Sequence, residues 1–344
     1  MKKAVILFNL GGPDKIESVE PFLFNLFNDP AILNLPSFFR YPLAKLISNR
    51  RAPVAKKIYM ELGGSSPILK LTQEQSFALE KKLSENQYND EYKCFIVMRC
   101  WHPRAENVLK EVIKFNPEEI ILMPLYPQYS AATSGSSIKE WEDVCKKKNY
   151  YVKTSKICCY PTDINFINAH VNKISEKIND LKNFKLIFSA HGLPEKNIKK
   201  GDPYQWQVEQ SVNEIVKKLN KGNLDWILSY QSRVGPLKWI GPSTEEIIIK
   251  NAKEGKHIVL VPIAFVSEHS ETLVELDIEY KKLATDNGCN KYTRVSALGT
   301  NQDYMNCLSN LIIKKNNYKF NKDLYPPKLR CPNQFKKCPC INNL

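Results

Sequence analysis

The sequence predicts an α/β protein made of two similar domains, each with a parallel sheet, facing one another across a cleft and followed by a short Cys-rich C-terminal extension. Three observations predict it. Apolar runs of strand length alternate with amphipathic stretches, the pattern is weakly duplicated along the chain, and periodicity stops near Asn316. The 344 residues also exceed the roughly 250–300 over which a single core keeps growing. The expected division is 1–150, 151–310 and an extension over 311–344.

The strands are read at AVILFNL (4–10), CFIVMRC (94–100), EIILMPLY (119–126), LIFSA (186–190), WILSYQS (226–232) and HIVLVPIAF (257–265). Their apolarity is continuous rather than alternating, which suits a parallel sheet covered on both faces. LTQEQSFALEKKLSE (71–85), PRAENVLKEVIKF (103–115), QWQVEQSVNEIVKKLNK (205–221) and STEEIIIKNAKE (243–254) carry helical periodicity and read as crossover helices. The duplication lies in FNLGGP (8–13) against SAHGLP (189–194), each a strand opening into a Gly turn. In each half a later strand holds an internal Pro and runs into a polar loop, ILMPLYPQYSAATSGSS (121–137) and VLVPIAFVSEHSETL (259–273). Loops at the carboxyl ends of parallel strands are where such folds place ligands.

Composition narrows the function. Lys and Arg number 50 against 36 Asp and Glu, a net charge of +14, which leans toward anionic partners. The surplus is scattered Lys interleaved with Asn, without an Arg-rich or aromatic-spaced motif, so nucleic acid is not an expected partner. No apolar run reaches the roughly 18 residues of a membrane-spanning helix. The N-terminal MKKAVILFNLGG is read as a first strand rather than a secretory leader, because Asn9, Gly11, Gly12 and Pro13 interrupt it and no small-residue cleavage site follows. A cytoplasmic protein is expected, with its ten Cys reduced unless bound to metal.

Two segments carry candidate chemistry. FSAHGLP (188–194) places His191 just past a strand end; taken alone, such a histidine is well explained as a hydrogen-bonded turn residue. SEHSETLVELDIEY (267–280) adds Glu268, His269 and Glu271 on the loop leaving a buried strand, then Glu275 on a probable helix. If that helix begins near Ser270 or Glu271, Glu268 caps it from outside, and Glu271, Glu275 and Ile278 share one face. A His and a carboxylate row together remove protons and handle a divalent metal. Asn9, Arg99, Trp101 and Tyr126 of the first half are expected as the opposing wall, with Gln231, Arg233 and Trp239 near by, an aromatic and basic set suited to a flat anionic ligand.

Seven segments, in order, carry a family resemblance: LFNLGGP (7–13), ELGGSSPI (61–68), LYPQYSAATSGSS (125–137), FSAHGLP (188–194), GDPY (201–204), YQSRVGPLKWIGP (230–242) and LVPIAFVSEHSETLVELDIEY (260–280). The chain resembles the ferrochelatases, which insert ferrous iron into a porphyrin to finish haem. The resemblance implies two Rossmann-like, chelatase-type domains with four-stranded sheets, protoporphyrin IX and Fe2+ as substrates, and no organic cofactor. It makes His191 the family histidine, acting as a base toward a pyrrole proton or as a contact to the metal. Glu271 is its acidic partner, and Glu268 and Glu275 join His191 and Glu271 in handling iron. Leu10, Tyr126, Trp239 and Phe265 would pack on the macrocycle, with Arg50, Arg51 and Ser66 on its propionate side. LPSFFRYPLAKL (35–46) matches the family's apolar lip, which with the surplus Lys implies peripheral contact with the inner membrane; a homodimer is the other expected assembly.

The remaining alternatives are coproporphyrin as substrate, a cobalt chelatase on the same fold, or a porphyrin carrier without catalysis. Cys331, Cys338 and Cys340 form C-x6-C-x-C, and Cys158 or Cys159 would supply a fourth thiolate. The resemblance implies a two-iron, two-sulfur (2Fe-2S) cluster on Cys158, Cys331, Cys338 and Cys340, with structural zinc the alternative.

Overall fold

Burial of the apolar runs sorts the chain into two compact units, Met1–Cys158 with Leu308–Tyr325, and Cys159–Cys307 with Pro326–Leu344. The computed structural model describes all residues except 86–89, 179–181, 221, 233–236, 315–323, 326–329 and 342–344. Arg233 and most of the Lys- and Asn-rich stretch at 314–323 therefore lie outside the described residues.

In the first unit the order is β1 (Lys2–Asn9), α1 (Val19–Phe27), α2 (Ser37–Glu61), α3 (Ile68–Ser84), β2 (Glu91–Met98), α4 (Ala105–Phe115), β3 (Glu119–Pro124), α5 (Ser136–Lys147) and β4 (Lys153–Ile157). The second unit continues with α6 (Ile164–Ile178), β5 (Phe184–His191), α7 (Glu195–Lys199), α8 (Tyr204–Leu219), β6 (Trp226–Gln231), α9 (Thr244–Lys253), β7 (His257–Pro262), α10 (Tyr280–Asp286) and β8 (Tyr292–Arg294). The unit boundary then falls inside α11 (Gln302–Lys314), and β9 (Leu324–Tyr325) returns to the first sheet.

The two sheets repeat one plan. The first is ordered β2-β1-β3-β4-β9 and the second β6-β5-β7-β8, and every pairing is parallel. Four strands per unit were expected; the C-terminal region adds β9 at the edge of β4, with Lys156 opposite Leu324 and Ile157 opposite Tyr325. The central strands are buried almost end to end, β1 from Lys3 to Asn9 and β3 throughout, which is why they read as continuous apolar runs. Helices cover the faces through one apolar stripe each: Ala105, Val108, Leu109 and Val112 of α4 meet Phe8, Phe95, Leu122 and Trp141. In the second unit Ile248 and Ala252 of α9 and Tyr280 and Ala284 of α10 meet Ile187, Ile258 and Leu260. Each fully buried Val, Leu or Ile side chain among them contributes about 1.5–3 kcal/mol.

Both units also place a π-helical segment after the third strand of their sheet, Ala131–Gly135 after β3 and Glu271–Glu279 after β7. The stretch read as an apolar lip is the first half of α2, a 25-residue helix with Pro42 and Pro53 inside it. Phe38, Phe39 and Tyr41 are left facing solvent, 68%, 58% and 60% exposed.

Candidate active site

In the second unit the chemistry gathers at the carboxyl ends of β5, β6 and β7. His191 is the last residue of β5, and its backbone carbonyl accepts a hydrogen bond of 3.1 Å from the Tyr204 hydroxyl. Its ring Nδ1 lies 2.8 Å from Glu271 Oε2. The loop leaving β7 enters the π-helical segment at Glu271. Turns of this kind carry one more residue than an α-helix between hydrogen-bonded groups, and they are frequent at functional sites. The backbone N–H of Tyr280 reaches the carbonyl of Glu275, five residues back, and the Tyr280 hydroxyl donates to Glu275 Oε1 at 3.0 Å.

Ser232 joins the two carboxylates. Its hydroxyl lies 2.7 Å from Glu275 Oε2 and 3.2 Å from Glu271 Oε2, and its backbone N–H donates to Glu275 Oε1 at 3.2 Å. It holds φ at 60°, a left-handed conformation costly for a residue with a Cβ, and that turn directs both groups at Glu275. Gln231 Nε2 donates to the second oxygen of Glu275 at 3.1 Å while its own Oε1 accepts from the buried Ser189 hydroxyl at 2.7 Å. Ser189 and Ser229 both contact the Thr244 hydroxyl, at 3.0 and 2.9 Å. A seam of hydroxyls thus runs from the first turn of α9 to Glu275.

The electrostatics separate the two glutamates. Burial raises the Glu271 carboxyl, but the charge and hydrogen bond of His191, with His269 and Ser232, outweigh it and bring its pKa down to about 2. Glu275 goes the other way: burial and the charge of Glu271 raise it above the ordinary carboxyl value, against the hydrogen bonds from Ser232 and Tyr280. For His191, burial favours the neutral ring, yet the charge and hydrogen bond of Glu271, with Glu275, overcome it and raise the pKa above 6.5. His269, with Nε2 at 4.0 Å from Glu271 Oε1, is lowered by burial and is the neutral imidazole of the pair. Carboxyls pushed apart in this manner divide into an ionised partner and a group able to carry a proton.

The other expected residues of this unit fall close by in the fold. A Cβ on Gly192 would stand 2.9 Å from the Gln231 backbone oxygen and 3.2 Å from Trp239 Cε3, so the position after His191 suits glycine and the Trp239 ring lies beside it. Phe265 is half-buried, its ring 4.6 Å from that of His269. Glu268 meets the helical segment through the Thr272 side chain, while both its oxygens go to Arg294 Nη1, at 2.9 and 3.0 Å, with Oε1 also accepting the Ala297 N–H.

In the first unit Leu10 packs with Val19, Phe22 and Tyr59, and Tyr126 packs on the sheet core, burial pushing its phenol well above the usual value. Ser66 donates its backbone N–H to Pro13 at 2.8 Å and sits so close that a Cβ on Gly12 would be 2.5 Å from its Oγ. Arg50 and Arg51 lie exposed on α2, with the Arg51 guanidinium 5.6 Å from the centre of the Phe27 ring. Arg99 is not a free wall cation; it ion-pairs with Asp29 at 2.8 Å and donates to the Ser136 hydroxyl at 2.7 Å. Asp29 and Ser136 had no sequence signal beyond their type.

The thiols converge as well. The sulfurs of Cys158, Cys338 and Cys340 all lie within 4.8 Å of one another. Cys331 is hydrogen-bonded to Cys338, which with burial raises its pKa strongly, and Gln207 Nε2 donates to Cys331 Sγ at 3.2 Å and to Cys159 Sγ at 3.4 Å. The last segment folds onto the unit through Phe335, which packs against Trp206 with ring centres 5.8 Å apart.

Two parallel-sheet units on one strand order, with polar groups at the strand ends, define the protein as an α/β protein built from a duplicated parallel-sheet unit. The sirohydrochlorin chelatase SirB of Bacillus subtilis subspecies spizizenii shares that fold, with a TM-score of 0.52 and 13% identity over 91% of this chain and 95% of that one. The sequence model of the ferrochelatase family matches residues 2–316. The ferrochelatase of Pelagibacter ubique (strain HTCC1062) is 80% identical over 99% of each chain, and that of Rickettsia felis is 49% identical over 99% of each. The chain belongs to the ferrochelatase family, enzymes that insert ferrous iron into a porphyrin.

Proposed function

We propose that the protein inserts Fe2+ into protoporphyrin IX, with His191 and Glu271 as the catalytic pair. The observation that carries the assignment is the 2.8 Å contact between His191 Nδ1 and an ionised Glu271, backed by Glu275. A flat porphyrin keeps two N–H protons inward, so metal entry requires a bent ring and their removal; a site fitted to the bent ring favours the transition state over the substrate. With Nδ1 committed to Glu271, neutral His191 presents Nε2 as the acceptor for a pyrrole proton. Glu271 holds the resulting imidazolium, and the Ser232 hydroxyl leads to Glu275, whose raised pKa suits it to take a proton onward. Glu271 and Glu275 also offer the oxygen donors a divalent ion accepts. Leu10, Tyr126, Trp239 and Phe265 are the proposed macrocycle contacts and Arg50, Arg51 and Ser66 the propionate contacts.

The thiols of Cys158, Cys331, Cys338 and Cys340 fit, in number and chemistry, the four thiolates of a 2Fe-2S cluster, and zinc is the competing occupant. Bound, the group supplies a cross-link from residue 158 to the C-terminal segment. Wild-type protein purified anaerobically is expected to show visible charge-transfer bands that Cys338→Ser loses; a colourless wild type containing zinc would replace the cluster in this reading. No described helix is long and apolar enough to cross a membrane, and the exposed aromatics of α2 among its cations are read as peripheral contact with the cytoplasmic face of an anionic membrane.

The deciding experiment is anaerobic incubation of wild type and His191→Ala with protoporphyrin and Fe2+, followed in the visible. Haem formation by the wild type alone supports the assignment. Porphyrin binding without insertion by either protein points instead to a carrier.

A further inference from the structure

One buried cation outside the reacting groups holds a carboxylate just before the π-helical segment and another within it. Arg294 ends β8 with its side chain only 9% exposed. Its Nη1 takes both oxygens of Glu268, three residues before Glu271, at 2.9 and 3.0 Å. Its Nε and Nη2 make a two-point contact with the carboxylate of Asp277, two residues beyond Glu275, at 2.7 and 2.6 Å. Glu271 and Glu275 lie between these two anchor points. The charged groups facing this arginine are Glu268, Asp277 and, more distantly, Lys173, and Lys173 is itself engaged with the Ser296 hydroxyl at 2.8 Å. Burial works against the charge on Glu268, but Arg294 keeps that carboxyl below its ordinary value.

A π-helical stretch is unfavourable relative to an α-helix of the same residues and persists where its surroundings over-determine it. A guanidinium fork bound to a carboxylate before the stretch and another within it fixes the distance the chain must cover between them, which a point-charge ammonium does not. We infer that Arg294 is a positioning residue for the proposed catalytic pair: by clasping Glu268 and Asp277 it holds the segment in its wide-turn register and so keeps Glu271 against His191 and Glu275 against Ser232. Glu268 on this account serves iron insertion through the clasp, not as a ligand of the metal. The inference rests on the functional reading above.

The test compares wild type with Arg294→Gln, Arg294→Lys, Glu268→Gln and Asp277→Asn, each checked for a cooperative melt. Insertion kinetics and the 15N histidine spectrum, in which the Nδ1 resonance of His191 reports its bond to Glu271, are read for each. Arg294→Gln is expected to lower kcat by roughly 10- to 100-fold, the cost of misplacing a reacting group by about 1 Å. KM for porphyrin should stay within about threefold, the His191 Nδ1 signal should move, and Arg294→Lys should not restore it. Glu268→Gln and Asp277→Asn should each reproduce a milder form of the same pattern. An unmoved His191 signal with wild-type kcat in folded Arg294→Gln overturns the clasp. So does a loss confined to Glu268→Gln with a raised KM for Fe2+, which would make Glu268 a metal ligand. If Arg294→Gln fails to fold, the two carboxamide variants carry the same comparison. Should the wild type itself not insert iron, the functional reading fails, while the His191 signal still reports on the clasp.

Discussion

His191 is where the site's pH behaviour is set. A base must be neutral to accept a proton, and Glu271 and Glu275 raise its pKa above 6.5 against the pull of burial, so insertion should rise with pH through an inflection above that value. Glu271→Gln removes the larger of the two charges that raise it and leaves burial, which lowers it, opposed only by Glu275. The inflection should then move to lower pH while the maximal rate falls, because the ring also loses the partner that orients it. A pH profile of kcat for the two proteins checks this, and an unmoved inflection would separate Glu271 from the titration. The sequence placed His191, Glu271 and Glu275 together because their types and positions after strands suffice for it. It did not reach Ser232 or Tyr280. The serine acts through a left-handed backbone, and the tyrosine lies five residues from Glu275, a spacing that faces away on an α-helix and inward only on a π-helix.

At the scale of elements, β1 to β3 and β5 to β7 were legible because their apolar runs are unbroken, including those of β2 and β6 at the sheet edges. β4 and β8 were not: KTSKI of β4 and YTR of β8 are only part buried and read as polar loop. Nor was α2, whose two prolines and exposed aromatics hide a helix that a periodic pattern would otherwise announce. The C-terminal segment looked unable to bury anything, and alone it could not; it buries Cys331, Phe335 and Cys338 only by packing on Trp206. That docking depends on Gly201, which holds φ at 88° and would place a Cβ 2.8 Å from the Lys336 backbone nitrogen. Gly201→Ala should cost about 1–3 kcal/mol, read as a lower denaturation midpoint, and should speed alkylation of Cys338 in metal-free protein. An unchanged midpoint and alkylation rate would mean that the segment docks independently of the turn.

Across the whole molecule the duplicated strand order was visible in the paired Gly turns and Pro-containing strands, whereas the return of the chain from the second unit to the first was not, since β9 is two residues long. The net charge of +14 and the aromatics at the start of α2 make a joint prediction. Pelleting with vesicles should be stronger when they are anionic than when neutral and should fall with salt, and Phe38→Ser combined with Phe39→Ser should weaken it on both kinds. Equal pelleting on both vesicle types would remove the electrostatic part.

The late arrival of β9 also bears on how the protein is made. A ribosome finishes β1 to β4 early, yet the strand that lies along the outer side of β4 is not translated until residue 325. Through the whole synthesis of the second unit that row of amide and carbonyl groups has no strand beside it, an edge on which a neighbouring nascent chain can pair. Lys153 and Lys156, the two charges on this strand, are the kind of residue that discourages such pairing. Replacing them with apolar residues should raise losses to aggregation during expression more than it lowers the stability of the finished protein.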